Sequence, residues 1–319
     1  MSEVLTIGEA MAVFASTDKD ATLADASHFT KYLAGAEVNV AVGVSRLGHS
    51  VQYVTRVGSD PIGQFIQNEL ERNEIGIDYV SVTDEYTTGL MLKQKVSDGD
   101  PATANYRKNS AASHYTANLL STIDLSDVRI VHITGIFPAL SSETLGATQA
   151  LFDMCESNEN LVKVFDTNLR PTLWASEDQM RKTVNHFAKQ AHIVLPGVSE
   201  GEILMGSRDP EEIADFYLSQ SEVTHTVIVK VGADGAFIKT KDGVKTLVPG
   251  FRVAEVVDTV GAGDGFALGT ITGLLDGLAI EDAVRRGNAV GAMAVQAAGD
   301  NDGYPTPEQL QAFFDQAAK

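Results

Sequence analysis

The sequence predicts an α/β fold built around a largely parallel central sheet. Short runs of β-branched residues alternate with longer segments of helical periodicity, as expected for strands joined by helical crossovers. The chain has 319 residues, which at roughly 150 residues per domain fits two domains or one large domain with an insert. A chain of this length buries a large core without disulfides, and its single cysteine, Cys155, excludes an intramolecular disulfide framework.

The individual elements follow from local signals along the chain. Four strands are predicted in the apolar runs at residues 4–8, 129–133, 161–165 and 226–230. A helix is predicted to begin at Pro61, because Asp60 is a favourable N-cap and proline suits the first helical position, and to end before Gly76. Helical periodicity also extends over residues 143–157, 177–190, 209–219 and 281–298.

Two segments interrupt this alternation of strands and helices. Residues from about 10 to 33 and from about 87 to 110 show period-two patterning or Thr/Tyr-rich extended stretches, without a long helix between them. We expect them to form a small second β-layer that projects from the main sheet. Such a layer would serve as a lid or as a contact between subunits.

The charge balance narrows the range of partners. The chain carries 43 acidic and 24 basic side chains, a formal net charge of −19. This balance argues against nucleic acid and against anionic membranes, both of which favour clustered Lys and Arg. No uncharged stretch is long enough to cross a bilayer and no signal-peptide pattern is visible, so a cytoplasmic protein is expected. An anionic substrate would need positive charge concentrated at its site.

The sharpest local motif is a glycine-rich turn at residues 258–266, followed by an apolar run. A glycine turn that opens a helix presents unpaired backbone amides and the positive end of the helix dipole, which together form an anion site. Asp264 within this site is explained if it deprotonates a hydroxyl beside a phosphoryl group held by the amides. Alternatively, the glycines only permit a tight turn and Asp264 caps the helix. The chain has no Gly-Lys dipeptide, so any ATP would bind without a P-loop.

Two motifs resemble the signatures of the ribokinase or PfkB carbohydrate kinases. Residues 258–264, Asp-Thr-Val-Gly-Ala-Gly-Asp, look like the C-terminal signature, and residues 34–41 with Arg-Leu-Gly at 46–48 look like the N-terminal one. Two signatures in the correct order are far more specific than either alone. Three further segments are similar to the ketodeoxygluconate kinases of this family, at residues 106–113, 166–174 and 299–306.

The resemblance implies a ribokinase-like kinase domain over residues 1–319, with a Rossmann-type three-layer core and a small β-sheet lid. It implies ATP and Mg²⁺ as cofactors, a sugar held between core and lid, and Asp264 as the catalytic base. The amides of Gly261, Ala262 and Gly263 would form the anion hole. Whether a monovalent cation assists stays open at this point, as does a homo-oligomer formed through the lid.

Further site residues are implied by position within the family's motifs. Gly35 and Asn39 match positions near the sugar, although an amide that caps a helix is an equal reading of Asn39. Positions near the nucleotide are matched by Lys230, Gly232, Gly235 and Asn288. The Asn-x-x-Glu motif that many relatives use around Mg²⁺ is Gly-Val-Ser-Glu here, which leaves a water-mediated metal role for Glu200. A glutamate favoured by the helix dipole is the alternative.

The candidate substrate contacts point to an acid. The aspartate that often holds the diol of neutral sugars is absent after the first strand, where residues 8–12 read Gly-Glu-Ala-Met-Ala. Arg107 and Arg170 align with substrate-contacting positions of ketodeoxygluconate kinases, and a planar guanidinium suits a carboxylate. Either arginine could instead be a solvated cation or part of a structural ion pair. The same pocket is predicted to include Leu90, Tyr106 and Asp300.

These observations favour an ATP-dependent kinase that phosphorylates the terminal hydroxyl of 2-keto-3-deoxygluconate. The nearest alternative is a kinase of the same fold that acts on a neutral ketose such as fructose. A non-catalytic sugar-binding protein is a third reading. The glycine turn with its aspartate argues against that reading, because a binding module needs no base in an anion site.

Overall fold

The computed structural model describes residues 2–99, 101–297 and 299–317. Its strands are β1 (Val4–Ile7), β2 (Met11–Lys19), β3 (Phe29–Ala34), β4 (Val51–Gly58), β5 (Val80–Thr83), β6 (Leu90–Lys95), β7 (Thr103–Tyr106), β8 (Ile130–Thr134), β9 (Val162–Asp166), β10 (Ile193–Leu195), β11 (Thr226–Lys230), β12 (Gly235–Thr240) and β13 (Lys245–Pro249). Its α-helices are α1 (Ala36–Arg46), α2 (Pro61–Arg72), α3 (Ser142–Cys155), α4 (Glu177–Ala188), α5 (Val198–Met205), α6 (Pro210–Ser219), α7 (Ala262–Leu275), α8 (Ile280–Ala294) and α9 (Pro307–Ala317).

Nine strands form the central sheet, in the order β13-β12-β11-β10-β9-β8-β1-β4-β5. The strands from β11 to β5 pair in parallel, whereas β12 and β13 add antiparallel strands at one edge. The prediction of an α/β fold with a largely parallel sheet is therefore confirmed. Because the parallel strands share one direction, their carboxyl ends lie along a single edge, where ligands of such sheets usually bind.

Helices cover both faces of this sheet, which gives three layers. Alternate side chains of one strand enter different cores: in β11, Ile228 packs in one core while Val227 and Val229 pack in the other. The first core receives side chains from α1, α2, α7, α8 and α9, and the second from α3, α4, α5 and α6. Strands buried on both faces explain why the predicted strands are continuous apolar runs rather than alternating ones.

The two segments that interrupt the alternation form a separate four-stranded sheet, the small sheet, in the order β3-β2-β6-β7. Strand β2 pairs antiparallel with β3 and parallel with β6, and β6 pairs antiparallel with β7. The period-two patterning of these segments thus reflects a sheet with two different faces. Tyr32 and Tyr106 lie exposed on its strands.

Element boundaries agree with the predictions most closely where a capping signal is present. Asp60 caps α2 and accepts hydrogen bonds from the amides of Ile62 and Gly63. The helix predicted to extend to residue 298 ends at Ala294, because the carbonyl of Val295 accepts a bond from the Val257 amide instead of continuing the helix. Ala298 itself lies outside the described residues. No helix in the described ranges has the length and apolar character needed to cross a membrane.

Candidate active site

A cavity of about 1080 Å³ lies between the carboxyl ends of the parallel strands and the small sheet. It is bounded by the segments that follow β1, β8 and β9, by the end of β11, by the beginnings of α1, α5 and α7, and by part of the small sheet. Ten predicted site residues from distant parts of the chain line it: Gly35, Asn39, Arg107, Arg170, Glu200, Lys230, Gly261, Gly263, Asp264 and Asp300. The fold therefore brings most of the predicted site together.

The glycine turn has the conformation that an anion site requires. Gly261 immediately precedes α7 with a φ of 79°, and a Cβ at this position would lie 1.9 Å from the carbonyl oxygen of Asp300. Only glycine fits there. A Cβ at Gly263 would meet no atom within 4 Å, so the first turn of α7 opens onto free space. Its amides, including that of Ala262, lie where a helix has donors without helical partners.

Asp264 occupies the third position of α7 and receives a side-chain amide on each carboxylate oxygen. Asn39 Nδ2 donates to Oδ2 at 2.8 Å, and Asn168 Nδ2 donates to Oδ1 at 3.3 Å. Asn301 donates to Asn39 Oδ1 at 3.1 Å, which fixes the orientation of the Asn39 amide. Burial raises the pKa of Asp264 to about 7, and the Asn39 hydrogen bond opposes this rise. A carboxyl group with such a pKa can both accept and release a proton near neutral pH.

Lys230 at the end of β11 forms a buried ion pair with Asp166 at the end of β9. Its Nζ lies 2.8 Å from both carboxylate oxygens. Burial alone would lower the pKa of Lys230, but the carboxylates of Asp166 and Glu200 outweigh it and raise that pKa. The pair ties the ends of β9 and β11 together across the intervening β10, beneath the cavity.

Glu200 acts as a helix cap in the first turn of α5. Its Oε2 accepts from the Gly197 amide at 2.8 Å and from Thr167 Oγ1 at 2.7 Å, and its Oε1 accepts from the Leu169 amide at 2.7 Å. Each carboxylate oxygen can accept two hydrogen bonds. Oε1 can therefore accept one more, from a metal-bound water. The residues present thus fit Mg²⁺ through water. The bond from the Gly197 amide corresponds to the alternative reading of the sequence, in which Glu200 stabilises the start of its helix.

Arg107 lies in an ion pair with Glu9, a residue that no sequence motif singled out. Arg107 follows β7 of the small sheet, and Glu9 follows β1 of the central sheet and is 1% exposed. Arg107 Nε lies 2.7 Å and Nη2 2.5 Å from Glu9 Oε2, and Ser110 Oγ donates to Oε1 at 2.5 Å. Glu9 therefore occupies the side edge of the guanidinium and leaves the end edge, with Nη1, toward the cavity.

Arg170 has different surroundings. Its Nη1 donates to the carbonyl of Leu169 at 2.9 Å, it is exposed, and among the described residues it forms no ion pair. A second buried carboxyl group, Glu37, also lines the cavity and accepts a hydrogen bond from Thr134. Burial raises the pKa of Glu37 to about 7. Its only sequence signal was its place inside the N-terminal motif.

The sequence matches the family described as pfkB family carbohydrate kinase over residues 1–307. The chain belongs to this family. A 2-dehydro-3-deoxygluconokinase of Bacillus subtilis (strain 168) is 45% identical over 314 residues, covering 98% of this chain and 95% of that protein. The crystal structure of a PfkB protein from Polaromonas sp. JS666 superimposes with a TM-score of 0.88 at 40% identity, covering 98% of this chain and 100% of the other. A ribokinase II from E. coli, in complex with ATP and Mg²⁺, superimposes with a TM-score of 0.88 at 25% identity, covering 99% and 100%.

Two residues predicted for the sugar pocket of this kinase do not line the cavity. Leu90 and Tyr106 face each other across β6 and β7, and Tyr106 is 61% exposed. The adjacent cross-strand pair, Met91 and Asn105, lines the cavity instead. Successive side chains of a strand point to opposite faces, so a shift of one residue moved the predicted pair to the wrong face.

Of the residues predicted near the nucleotide, Lys230 lines the cavity, whereas Gly232, Gly235 and Asn288 lie beside it. Gly232 and Gly235 form the turn between β11 and β12, where a Cβ at Gly235 would lie 2.1 Å from the carbonyl oxygen of Val248. Asn288 of α8 donates to the carbonyl groups of Val248 and Pro249 at 3.0 and 3.2 Å. These contacts give Gly235 and Asn288 structural roles, and their contacts with a nucleotide stay a prediction.

Proposed function

We propose that this carbohydrate kinase transfers the γ-phosphoryl group of ATP to the terminal hydroxyl of 2-keto-3-deoxygluconate, giving 2-keto-3-deoxy-6-phosphogluconate. The observation that carries the proposal is a single cavity with Asp264 and the glycine turn on one side and Arg107 and Arg170 on another. The name of the Bacillus subtilis relative, at 45% identity, supports the same substrate. ATP with Mg²⁺ is supported by the complex of the E. coli ribokinase II.

In the proposed reaction Asp264 is the general base. It accepts the proton of the terminal hydroxyl while that oxygen forms a bond to the γ-phosphorus. The bond from the γ-phosphorus to the β,γ-bridging oxygen breaks, and ADP leaves with that electron pair. A primary hydroxyl is a poor nucleophile, so the base contributes by removing its proton and by orienting it for in-line attack. The raised pKa of Asp264 suits this task near neutral pH.

The amides of Gly261, Ala262 and Gly263 stabilise negative charge on the transferring phosphoryl group. They lie at the start of α7, one turn or less from Asp264, so that base and anion site share one rigid element. Mg²⁺, when bound with ATP, supplies positive charge that offsets the phosphate oxygens. Glu200 would hold it through a water on Oε1. In the described ranges, no group of three or more His, Cys, Asp and Glu side chains is arranged as a metal site, which is consistent with a metal held largely by phosphates.

The arginines explain how a chain with a net charge of −19 binds an acid. Long-range repulsion has to be overcome by short, directed hydrogen bonds in a partly desolvated site. Nη1 of Arg107, which Glu9 does not contact, and Arg170, which forms no ion pair with the described residues, supply such donors. A neutral ketose offers no carboxylate to Nη1 of Arg107 or to Arg170, which makes fructose the weaker candidate.

A coupled assay of ADP formation tests the proposal directly. The purified protein is supplied with Mg²⁺-ATP and with 2-keto-3-deoxygluconate, fructose or no sugar. We expect ADP formation with the acid at a kcat/KM at least about tenfold above that with fructose, which corresponds to one lost charge-assisted contact. A preference for fructose would identify the neutral-ketose alternative, and no turnover with any sugar would support a non-catalytic binding protein.

The proposal includes a lid role for the small sheet, which stands over the cavity. Lys93 of β6 lies 3.0 Å from Asp258 at the glycine turn, and both side chains are largely buried. This ion pair joins the sugar side of the cavity to the phosphate side.

The exposed Tyr32 and Tyr106 suit pairing of two chains through the small sheet, which sedimentation velocity of wild type and Tyr106→Lys would test. We place the enzyme in the cytoplasm, where ATP is available. A role for a monovalent cation is tested by measuring the rate while K⁺ is titrated.

A further inference from the structure

We propose that Asn168 is a positioning residue that holds the carboxylate of Asp264 through Oδ1 in the orientation and ionisation state of a base. The inference rests on the proposed function, because it takes Asp264 as the general base. It extends that function to a residue outside the predicted site. Asn168 lines the cavity, and its side chain contacts Asp264 rather than a position assigned to sugar or nucleotide.

The backbone of Asn168 is held in an unusual conformation. It has a φ of 33°, in the left-handed region that asparagine tolerates better than most residues but that still carries strain. The turn that contains Asn168 directly follows β9, and the backbone N–H of Asn168 donates to Asp166 Oδ1 at 3.1 Å. Asp166 is in turn fixed by Lys230. A buried ion pair between two strand ends therefore anchors the turn that aims the Asn168 side chain at Asp264.

The two amides on Asp264 are not equivalent. Asn39 lies on α1, and its bond of 2.8 Å has good geometry for a charged acceptor. Asn168 lies in the turn after β9 and donates to the other oxygen at 3.3 Å. This longer bond restricts rotation of the carboxylate about its Cβ–Cγ bond. Loss of Asn168 would leave the planar carboxylate held by these two amides with the Asn39 bond alone, so that the whole group could rotate more freely.

The same bond affects protonation. Burial favours the neutral form of Asp264, and so do the carboxylates of Asp166 and Glu37, whereas Arg170 favours the ionised form. The positive charge of Lys230 also interacts with the Asp264 carboxylate. Tyr304 of the segment before α9 stays neutral because burial holds its pKa well above the ordinary value. Amide donors stabilise the ionised carboxylate more than the neutral carboxyl group. Removing one of them therefore raises the pKa at which the base becomes active.

Asn168→Gly is the decisive variant, because glycine accepts the left-handed backbone without strain while it removes the amide. We measure kcat with saturating sugar acid and Mg²⁺-ATP from about pH 5.5 to about pH 9. We expect the acidic limb of the profile to move upward by about one pH unit, so that kcat falls about tenfold at pH values below the wild-type limb. The plateau at high pH should stay within a few-fold of wild type, because the base is ionised there in both proteins.

Two further variants keep the test interpretable. Asn168→Asp places a second carboxylate against Asp264 and should move the limb further upward. Glu74→Gly replaces another residue with a left-handed backbone, φ 56°, which does not line the cavity, and its profile should overlay that of wild type. An acidic limb of Asn168→Gly that coincides with wild type would overturn the inference, as would a lowered plateau with no shift of the limb. Asp264→Asn separates failure of the proposed function from failure of this inference. If that variant keeps near-normal turnover, the assignment of Asp264 as the base is wrong, whatever the result for Asn168.

Discussion

The two arginines of the cavity should respond differently to truncation, because only Arg107 has a buried partner. Glu9 is 1% exposed and receives two N–H groups of Arg107 at 2.7 and 2.5 Å. Arg107→Ala leaves this carboxylate buried without its cation, which typically costs about 3–5 kcal/mol of stability. For a chain of 319 residues the entropy of unfolding makes each kcal/mol correspond to about 1.5 °C in Tm, so we expect Tm to fall by about 4–8 °C. Arg170 is exposed and bonds only a neighbouring carbonyl, so Arg170→Ala should change stability by no more than about 0.5 kcal/mol.

Activity toward the acid should fall in both variants in spite of this difference. Each arginine offers a charge-assisted hydrogen bond worth about 1.5–3 kcal/mol, or roughly tenfold to a hundredfold in kcat/KM. Activity toward a neutral ketose should change little with Arg170→Ala. Lysine at either position should recover only part of the loss, because an ammonium cannot present the same fork.

The assay combines thermal unfolding with kcat/KM for 2-keto-3-deoxygluconate and fructose. The double variant Glu9→Gln/Arg107→Met serves as the control, because removing both charges should restore most of the Tm without restoring activity toward the acid. The reasoning is refuted if Arg170→Ala lowers Tm as much as Arg107→Ala, or if either variant loses equal activity on both sugars.

Four further predictions concern the other side of the cavity and its connection to the small sheet. Asp264→Asn should keep ATP binding and lose turnover by roughly 10²- to 10⁴-fold, and near-wild-type kcat would leave Asp264 with a structural role only. Because burial raises the pKa of Asp264 to about 7, the unfolded chain ionises first as pH rises, and the fold loses stability up to about pH 7. The Tm of Asp264→Asn relative to wild type should therefore be higher at about pH 8 than at about pH 5. Glu200→Gln should raise the half-saturating Mg²⁺ concentration more than the sugar KM, and an unchanged Mg²⁺ titration would leave Glu200 with its capping role alone. Lys93→Met removes the ion pair with Asp258 and should raise the sugar KM a few-fold with a Tm change of only a few degrees; an unchanged KM would contradict the coupling of the small sheet to the glycine turn.

Local motifs were enough to predict that the glycine turn opens a helix with Asp264 in its first turn. The glycine turn and Asp264 lie within one short segment, and the physical demand on that segment, a left-handed residue before a helix, is visible in its glycines. The alternation of strand and helix likewise follows from periodicity that each segment carries alone. Features of this kind need no knowledge of distant contacts.

The sugar side could not be predicted as well, because it depends on tertiary placement. Glu9 and Arg107 are 98 residues apart, and their pairing exists only because the small sheet stands over the end of β1. Leu90 and Tyr106 show a second cause. A strand places alternate side chains on opposite faces, so the correct segment with an error of one residue gives the wrong face. Asn168 depends on both causes, since its contact with Asp264 spans 96 residues and its direction is set by a left-handed turn.

The cavity joins residues from the first strand to the segment before the last helix, with Glu9 at one extreme and Asp300 at the other. Asp300 supplies the carbonyl that lies against Gly261, and Arg46 of α1 donates to the neighbouring Asn301 carbonyl at 2.6 Å. A nascent chain leaving the ribosome therefore has no complete cavity until the segment around Asp300 has emerged and docked onto α1 and the glycine turn. Substrate cannot assist the early stages of synthesis as a folding ligand, and its stabilising effect by mass action begins only with the assembled sheet.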